Sequence, residues 1–409
     1  MIGTIVIIGA SAAGVAAAMT LRDEGHIGDI VLIGAEEQLP YDRPAVSKEL
    51  LLAGTVPPIL TADRYAELRI DLRLGVTVTA IDLTGGRVLL GEDESITFDR
   101  LLVATGGKPR HLPVPGAELD GLHYVRNARD GLAIHTGLRP GMRVAVIGGG
   151  LIGAEVAASA AQAGCEVDWI EAEDRCLARV LPAPLADAMM AVHRGHGVRI
   201  HSNAAVVRLH GDTAVEAVEL HDGRQIAVDI VVVGIGIVPE TALAEAAGLA
   251  VDNGILVDPF CATSVPGVYA AGDVARHQSR YMPVAGRLEH WRNAQQQGAA
   301  AARAMLGRGE PYHELPWFWT DQYTHHLEGC GLARPGDEAV LRGDPASGSA
   351  TVFHLRDGAL VAAVTLNRAN DVRGAMRLIE RGVTPSHDVL SDPTQDLHKL
   401  GKERVRGAA

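Results

Sequence analysis

The chain has 409 residues, enough for two or three domains, and 47% hydrophobic with 21% charged residues is an ordinary globular composition. A net charge of −13 argues against generic nucleic-acid binding. No apolar run is long enough to span a bilayer, and the first apolar strand begins too close to Met1 for a cleavable leader, so a cytoplasmic protein with no membrane attachment is the expectation.

The stretch from Thr4 to Glu36 organises the rest of the chain. Ile5 to Ile8 predicts a short buried parallel strand. Gly9, Ser11 and Gly14 stand at the spacing of the G-x-G-x-x-G turn, with Ser11 in place of the middle glycine. Val15, Ala18, Met19 and Leu21 line one face of a helix, Ile30 to Ile33 predicts a second strand, and Glu36 follows Gly14 by 22 residues. Small residues in such a turn admit a pyrophosphate to backbone N–H groups at a helix start, and an acid after the second strand can accept ribose hydroxyls. A single turn of this kind is also compatible with an ordinary tight turn in an α/β protein. Arg143 to Ile147 repeats the pattern. Gly148, Gly150 and Gly153 match it without substitution, Leu151 to Ala163 predicts a small-residue helix, Val167 to Ile170 a strand, and Glu171 follows Gly153 by 18 residues. Two complete units imply two nucleotide sites.

Between them, Leu39 to Lys48 is a loop bracketed by Pro40 and Pro44, with a helix expected to be capped at or just before Ser47. It either brings Arg43 and Lys48 near a cofactor or is a solvated turn. Gly75 to Ile81 and Arg87 to Leu90 predict a hairpin. A buried strand then ends on Ala104, Thr105 and Gly106, and Pro109, Pro113 and Pro115 mark a boundary. After the second unit, the run from Ile230 to Gly236 is a strand, and another leads into Gly272 and Asp273, an acid placed to bond a polyol. Glu289 to Asn293 precede a Gln- and Ala-rich helix, whose start can face a cofactor ring. Pro316 to Asp321 carries Trp317 and Trp319, which either stack a planar ligand or fill a core. From about Gln322 the pattern turns antiparallel, with a hairpin over Ala350–Leu355 and Leu360–Leu366 and a polar, mobile tail from Lys399. Cys165, Cys176, Cys261 and Cys330 form no C-x-x-C pair and read as reduced thiols. His193 and His196, and the His325–His326 pair, lack a nearby acid or thiolate, so no metal site is expected.

Taken together, the fingerprint Gly9–Gly14, Pro40-Tyr41-Asp42-Arg43-Pro44 with Ser47-Lys48, Ala104-Thr105-Gly106, Gly148–Glu155, Gly234-Ile235-Gly236, Gly272-Asp273 and Pro316-Trp317-Phe318-Trp319 carry a resemblance over nearly the whole chain. It resembles the FAD-dependent, NADH-using ferredoxin reductases that serve bacterial oxygenases. The resemblance implies a glutathione-reductase-like α/β fold of two Rossmann-type domains with a C-terminal α+β domain. Its segments would be 1–115 and 239–320 for FAD, 116–238 for NADH and 321–409 for the C-terminal domain. It places Ala13, Glu36, Lys48, Val78, Arg126, Asp273 and Trp291 against FAD, and Gly149, Gly150, Ile152, Glu155, Glu171 and Gly236 against NADH. Relatives often carry an acid where this chain has Ala35, so Glu36 takes the ribose alone. Glu155 is implied to sit near the nicotinamide, and Trp319 to flank the nicotinamide–flavin stack.

The implied reaction passes electrons from NADH through FAD to a 2Fe–2S ferredoxin that feeds a P450 or a ring-hydroxylating dioxygenase. Docking of that kind is small in area and steered by charge, which asks a −13 protein for a local basic patch. Glu171 would repel a 2′-phosphate and so favours NADH, while Arg175 and Arg179 nearby soften the preference. Residues 37–60 contain no cysteine, which weighs against dithiol and single-cysteine reductases of the same fold. A rubredoxin or monodehydroascorbate-like reductase and a redox-sensing interaction protein stay open as alternatives, as do monomer and dimer.

Overall fold

The computed structural model describes residues 2–91 and 94–403. The chain divides into two compact units, Met1–Ala45 with Val56–Lys108 and Ile237–Glu314, and Val46–Thr55 with Pro109–Gly236 and Leu315–Ala409.

In the first unit five parallel strands lie in the order Val268–Ala270, Arg100–Val103, Thr4–Ile8, Asp29–Ile33, Ile70–Arg73. The central strand is apolar on both faces, as a doubly covered parallel sheet requires. Ile5 and Ile7 enter one core with Val15 and Leu21 of the helix Ala12–Asp23, while Val6 and Ile8 enter a second core on the opposite face. The helix Trp291–Met305 lies close against Ala12–Asp23. A Cβ at Gly298 would stand 2.1 Å from the Ala13 carbonyl oxygen, so only glycine permits this approach. The predicted hairpin is present but begins at Ala80, pairing Ala80–Asp82 with Arg87–Leu90 rather than starting at Gly75. The N–H groups of Gly75 and Val76 are spent on the carbonyls of Glu36 and Gly34, which removes that stretch from the ladder.

The second unit holds another five-stranded parallel sheet, ordered Arg199–His201, Glu166–Ile170, Arg143–Ile147, Ile230–Val233, Leu122–Tyr124. It also holds a five-stranded antiparallel sheet, ordered Trp317–Gln322, His325–Gly331, Ala359–Leu366, Ser349–Arg356, Glu338–Asp344. The hairpin predicted around Asp357-Gly358 closes with both residues at positive φ, +50° and +76°. The antiparallel pattern starts at Trp317, five residues before the predicted Gln322, because the Trp-Phe-Trp run is itself the edge strand. Phe318 turns into the core of the second unit, and Trp317 and Trp319 stack on each other with centroids 5.2 Å apart. At the C-terminus a helix spans Leu397–Glu403, so the tail expected from Lys399 begins as helix; 404–409 lie outside the described residues. Among the described residues no helix is long and apolar enough to cross a membrane.

One buried ion pair ties the last helices to this sheet. Arg342 is fully buried and donates to Asp371 at 2.8 Å and to the carbonyls of Leu390 and Val389 at 2.7 and 2.9 Å. Asp371 also accepts from Thr351 and Arg368. Asp371→Ala leaves a buried guanidinium without its counter-ion, and a loss of about 3 to 5 kcal/mol in urea unfolding is expected. A loss below about 1 kcal/mol would show that the carbonyls alone satisfy Arg342.

Candidate nucleotide and redox site

Each parallel sheet presents one glycine turn, and the two are built alike. In the first unit Gly9 has φ +115°, and a Cβ at Gly14 would meet the Gly9 carbonyl oxygen at 2.0 Å. In the second, Gly148 has φ +114°, and a Cβ at Gly153 would stand 2.0 Å from the Gly148 carbonyl oxygen. Both turns therefore need glycine for the chain to cross its own backbone. Neither helix that comes after is capped by a side chain at Ser11 or Gly150, so its first N–H groups face outward for an anion. Space in front of Gly150 is open for 4 Å.

Around the first turn the fold gathers much of what the sequence nominated. Glu36 accepts from Tyr41 at 2.5 Å and from Arg43 at 2.7 Å. Arg43 also reaches Ser11 Oγ at 3.5 Å and feels the charge of Asp273. Gly272 packs against Ala13, where an added Cβ would lie 3.2 Å from the alanine methyl, and the Gly272 N–H donates to Gln297 Oε1 at 2.9 Å. Gln297 is fully buried, and its Nε2 has no partner among the described residues. Thr105 adjoins the turn, with its hydroxyl committed to the Glu240 carbonyl at 2.7 Å, and Gly106 comes next at φ +68°. Trp291 opens the helix Trp291–Met305 behind its N-cap His290, and burial pushes His290 down to about 4. Val78 lies in the core with Ile8 and Ile33. Lys48 and Arg126 belong to the second unit, where the Arg126 N–H donates to Asp130, the acid of the capping box at Asn127. A glycine cradle, an uncapped helix start, an acid and a buried unsatisfied amide fit an FAD diphosphate and ribose.

Around the second turn Glu171 folds over the glycines, accepting from the N–H of Gly149 and, at 2.8 Å, from that of Glu173. Arg175 pairs with Asp187 at 2.8 Å, whereas Arg179 is 80% exposed and reaches Glu173 only at 3.5 Å. Gly236 has φ +95° with open space before it, and Ile152 is exposed on the first helical turn.

One turn further along that helix sits Glu155, almost fully buried. Ser47 donates to its Oε2 at 2.5 Å, and Thr320 and Lys48 donate to its Oε1 at 2.7 and 3.3 Å. Lys48 Nζ also lies 5.7 Å from the centre of the Trp319 ring. Burial pushes the Glu155 carboxyl up, Lys48 and then the two hydroxyls pull it back, and the net direction is upward. The expectation that Ser47 caps a helix is not met. The segment Arg43–Ser47 is a 3-10 turn, the helix Glu49–Ala53 starts after Lys48, and the Ser47 hydroxyl is spent on Glu155. Sequence reasoning missed Ser47 and Thr320 as partners of Glu155. They stand 108 and 165 residues away, and no local pattern marks such a contact. All four cysteines are free thiols, and no three-residue metal-binding group occurs among the described residues.

Comparison with known proteins agrees with this construction. Residues 3–298 match the pyridine nucleotide-disulphide oxidoreductase family model, and residues 317–401 match a reductase C-terminal model. The chain is 41% identical to the ferredoxin–NAD(+) reductase component of an anthranilate 1,2-dioxygenase system from Burkholderia cepacia, over 96% of this chain and 98% of the relative. It is 38% identical to the corresponding component of a biphenyl dioxygenase system from Paraburkholderia xenovorans, over 99% and 100%. Putidaredoxin reductase, solved in a covalent complex with putidaredoxin, superposes with a TM-score of 0.93 at 34% identity, over 99% of both chains. With two glycine cradles that fit dinucleotides and a family match over most of its length, the chain belongs to the pyridine nucleotide-disulphide oxidoreductases and takes FAD and NAD(H) as cofactors.

Proposed function

We propose that this chain is an NADH-dependent ferredoxin reductase, passing electrons from NADH through FAD to a 2Fe–2S ferredoxin that serves a P450 or ring-hydroxylating dioxygenase. The observation that carries the reading is the cluster at Glu155, which holds a carboxylate, an ammonium and an indole and no thiol. Electrons that enter have no disulfide to reduce, so a one-electron protein carrier is the fitting acceptor. The relatives are named ferredoxin reductase components, which supports the same acceptor.

Bound flavin would supply the chemistry, accepting one hydride from NADH and giving up its two electrons one at a time, with the proton passing to solvent. The chain supplies the rest. Glu171 accepts the ribose hydroxyls and repels a 2′-phosphate. The ion pair of Arg175 with Asp187 reduces the pull of that arginine against this preference for NADH, and the exposed Arg179 is the one that softens it. Gly149, Gly150, Gly153 and the open helix start take the NADH diphosphate, with Ile152 and Gly236 on the rim. Gly9, Ser11, Ala13, Gly14, Glu36, Arg43, Thr105, Gly106, Gly272, Asp273 and Trp291 hold FAD, and Arg43 adds a positive charge beside Ser11. Val78, in the same unit, completes that set. Glu155 meets the nicotinamide amide, and Trp319 shields the transfer from water. We assign the segments 1–115 and 239–320 to FAD, 116–238 to NADH and 321–409 to the C-terminal domain. Four free thiols suit a reducing cytoplasm.

The test is an anaerobic NADH titration of the purified yellow protein, with later addition of a 2Fe–2S ferredoxin and cytochrome c. Bleaching by about one NADH per flavin and ferredoxin-dependent cytochrome reduction are expected. A protein that takes up no FAD would overturn the reading. Bleaching without ferredoxin-dependent turnover would replace the acceptor with a small molecule or point to a sensing role.

A further inference from the structure

Tyr323 turns the hairpin between Trp317–Gln322 and His325–Gly331 at φ +56°, a left-handed backbone that a bulky side chain rarely adopts. Its ring stacks on His196 at 3.7 Å, and its hydroxyl lies 3.2 Å from His193 Nδ1. His193 sits fully buried on the helix Ala183–Gly195, with Nε2 2.9 Å from Gln322 Oε1. Gln322 Nε2 lies 3.3 Å from Thr320 Oγ1, and Thr320 Oγ1 lies 2.7 Å from Glu155 Oε1. Gln322 and Thr320 are buried as well.

With Glu155 ionised and His193 neutral, one arrangement of protons satisfies the whole series. An ionised Glu155 only accepts, so the Thr320 hydroxyl donates to it and accepts from the Gln322 amide. The Gln322 carbonyl oxygen must then accept from His193 Nε2–H. A neutral His193 leaves Nδ1 bare to accept from the Tyr323 hydroxyl. Every donor points toward Glu155, and bonds aligned in this way strengthen one another in a low-dielectric interior. Ser47 serves the other carboxylate oxygen and Lys48 supplies the counter-charge. The titratable groups facing His193 are His196, His325 and Tyr323. Burial pushes His193 down to about 4, in keeping with a neutral ring.

We propose that His193, Gln322 and Thr320 are positioning residues for Glu155, forming a one-way hydrogen-bond chain that favours its ionised carboxylate against burial and keeps it in a single rotamer. Within this hydrogen-bonded series only Glu155 needs to touch substrate. The C-terminal sheet thereby sets the state of an acid carried by the nucleotide-binding helix. Its value for hydride delivery rests on the function proposed above, whereas the chain itself does not.

The test labels glutamate with 13C at the carboxyl, assigns Glu155 with E155Q and tracks its titration by NMR in the flavin-loaded protein. T320V should raise the Glu155 midpoint by about one pH unit. Q322M and H193F should raise it by less, and T320S, which keeps the hydroxyl, should restore the wild-type value. Nitrogen shifts should show His193 neutral and protonated at Nε2. A T320V midpoint within about 0.2 unit of wild type would overturn the chain, as would a shift in T320V with none in Q322M, or a proton on Nδ1. Q322M leaves Thr320 in place and carries the test if T320V does not fold. If the protein takes up no flavin, the proposed function falls. The same midpoint shifts are then expected in nucleotide-free protein, so the two failures remain distinguishable.

Discussion

Lys48→Met is expected to cost about 3 to 5 kcal/mol of folding stability at pH 8 and clearly less at pH 5. Lys48 and Glu155 are both largely buried, with side chains 14% and 5% exposed. Removing the ammonium leaves a carboxylate in a low-dielectric site with only two hydroxyls on it. The pH dependence comes from the direction of the Glu155 shift. Its folded pKa lies above the ordinary value, so the folded state binds this proton more tightly than the unfolded chain. The stability this group contributes is complete below the unfolded carboxyl value and drains away as pH rises through the folded one. Deleting Lys48 moves the folded value higher still and extends that window upward. The lower the pH, the larger the share of the variant acid that carries its proton and the less a counter-ion matters. Urea unfolding at the two pH values reads this directly. Equal losses at both, or a loss under about 1 kcal/mol at pH 8, would show that the hydroxyls suffice.

Gly14→Ala should yield a colourless protein, and Gly153→Ala a yellow one that NADH no longer bleaches. The two turns are geometrically the same, and in each an added Cβ would sit 2.0 Å from the carbonyl oxygen of the first glycine. The neighbour is backbone, so no flexible side chain can move aside. Overpacking of this kind costs about 3 kcal/mol. If the strain is relieved by opening the turn, the affinity of the dinucleotide falls about a hundredfold. Because the turns belong to different compact units, each substitution should remove one cofactor and spare the other. Flavin content by absorbance and NADH affinity by fluorescence separate the cases. Loss of both cofactors from either variant would mean that the turns do not fold independently.

Other residues show how far local reading reaches. The strands at Thr4–Ile8 and Arg143–Ile147 and the helices after them are legible in the sequence, since β-branched runs, glycine spacing and helical periodicity act over a few residues. The hairpin at Asp357-Gly358 is legible for the same reason. Gly75 reads as the start of a strand and is not one, because its N–H is claimed by Glu36, a contact made through the fold. Ser47 reads as a helix cap and is not one, because capping and a distant buried carboxylate compete for one hydroxyl, and sequence displays only the first. The Trp-Phe-Trp segment allows two readings. The structure divides it, Phe318 going into the core while Trp317 and Trp319 stack on each other.

By itself, then, the sequence determined that this chain makes two parallel α/β units, each with a glycine turn and an acid after it, and that residues 37–60 offer no cysteine for disulfide chemistry. Those features rest on neighbours along the chain. Only the tertiary structure decided how Glu155 is held, joining Ser47, Lys48 and Thr320 around one carboxylate and running a buried polar chain back to His193. The reason is physical: burying a charge requires donors on every side of it, and a helix supplies only one side, so the others must come from segments more than a hundred residues away.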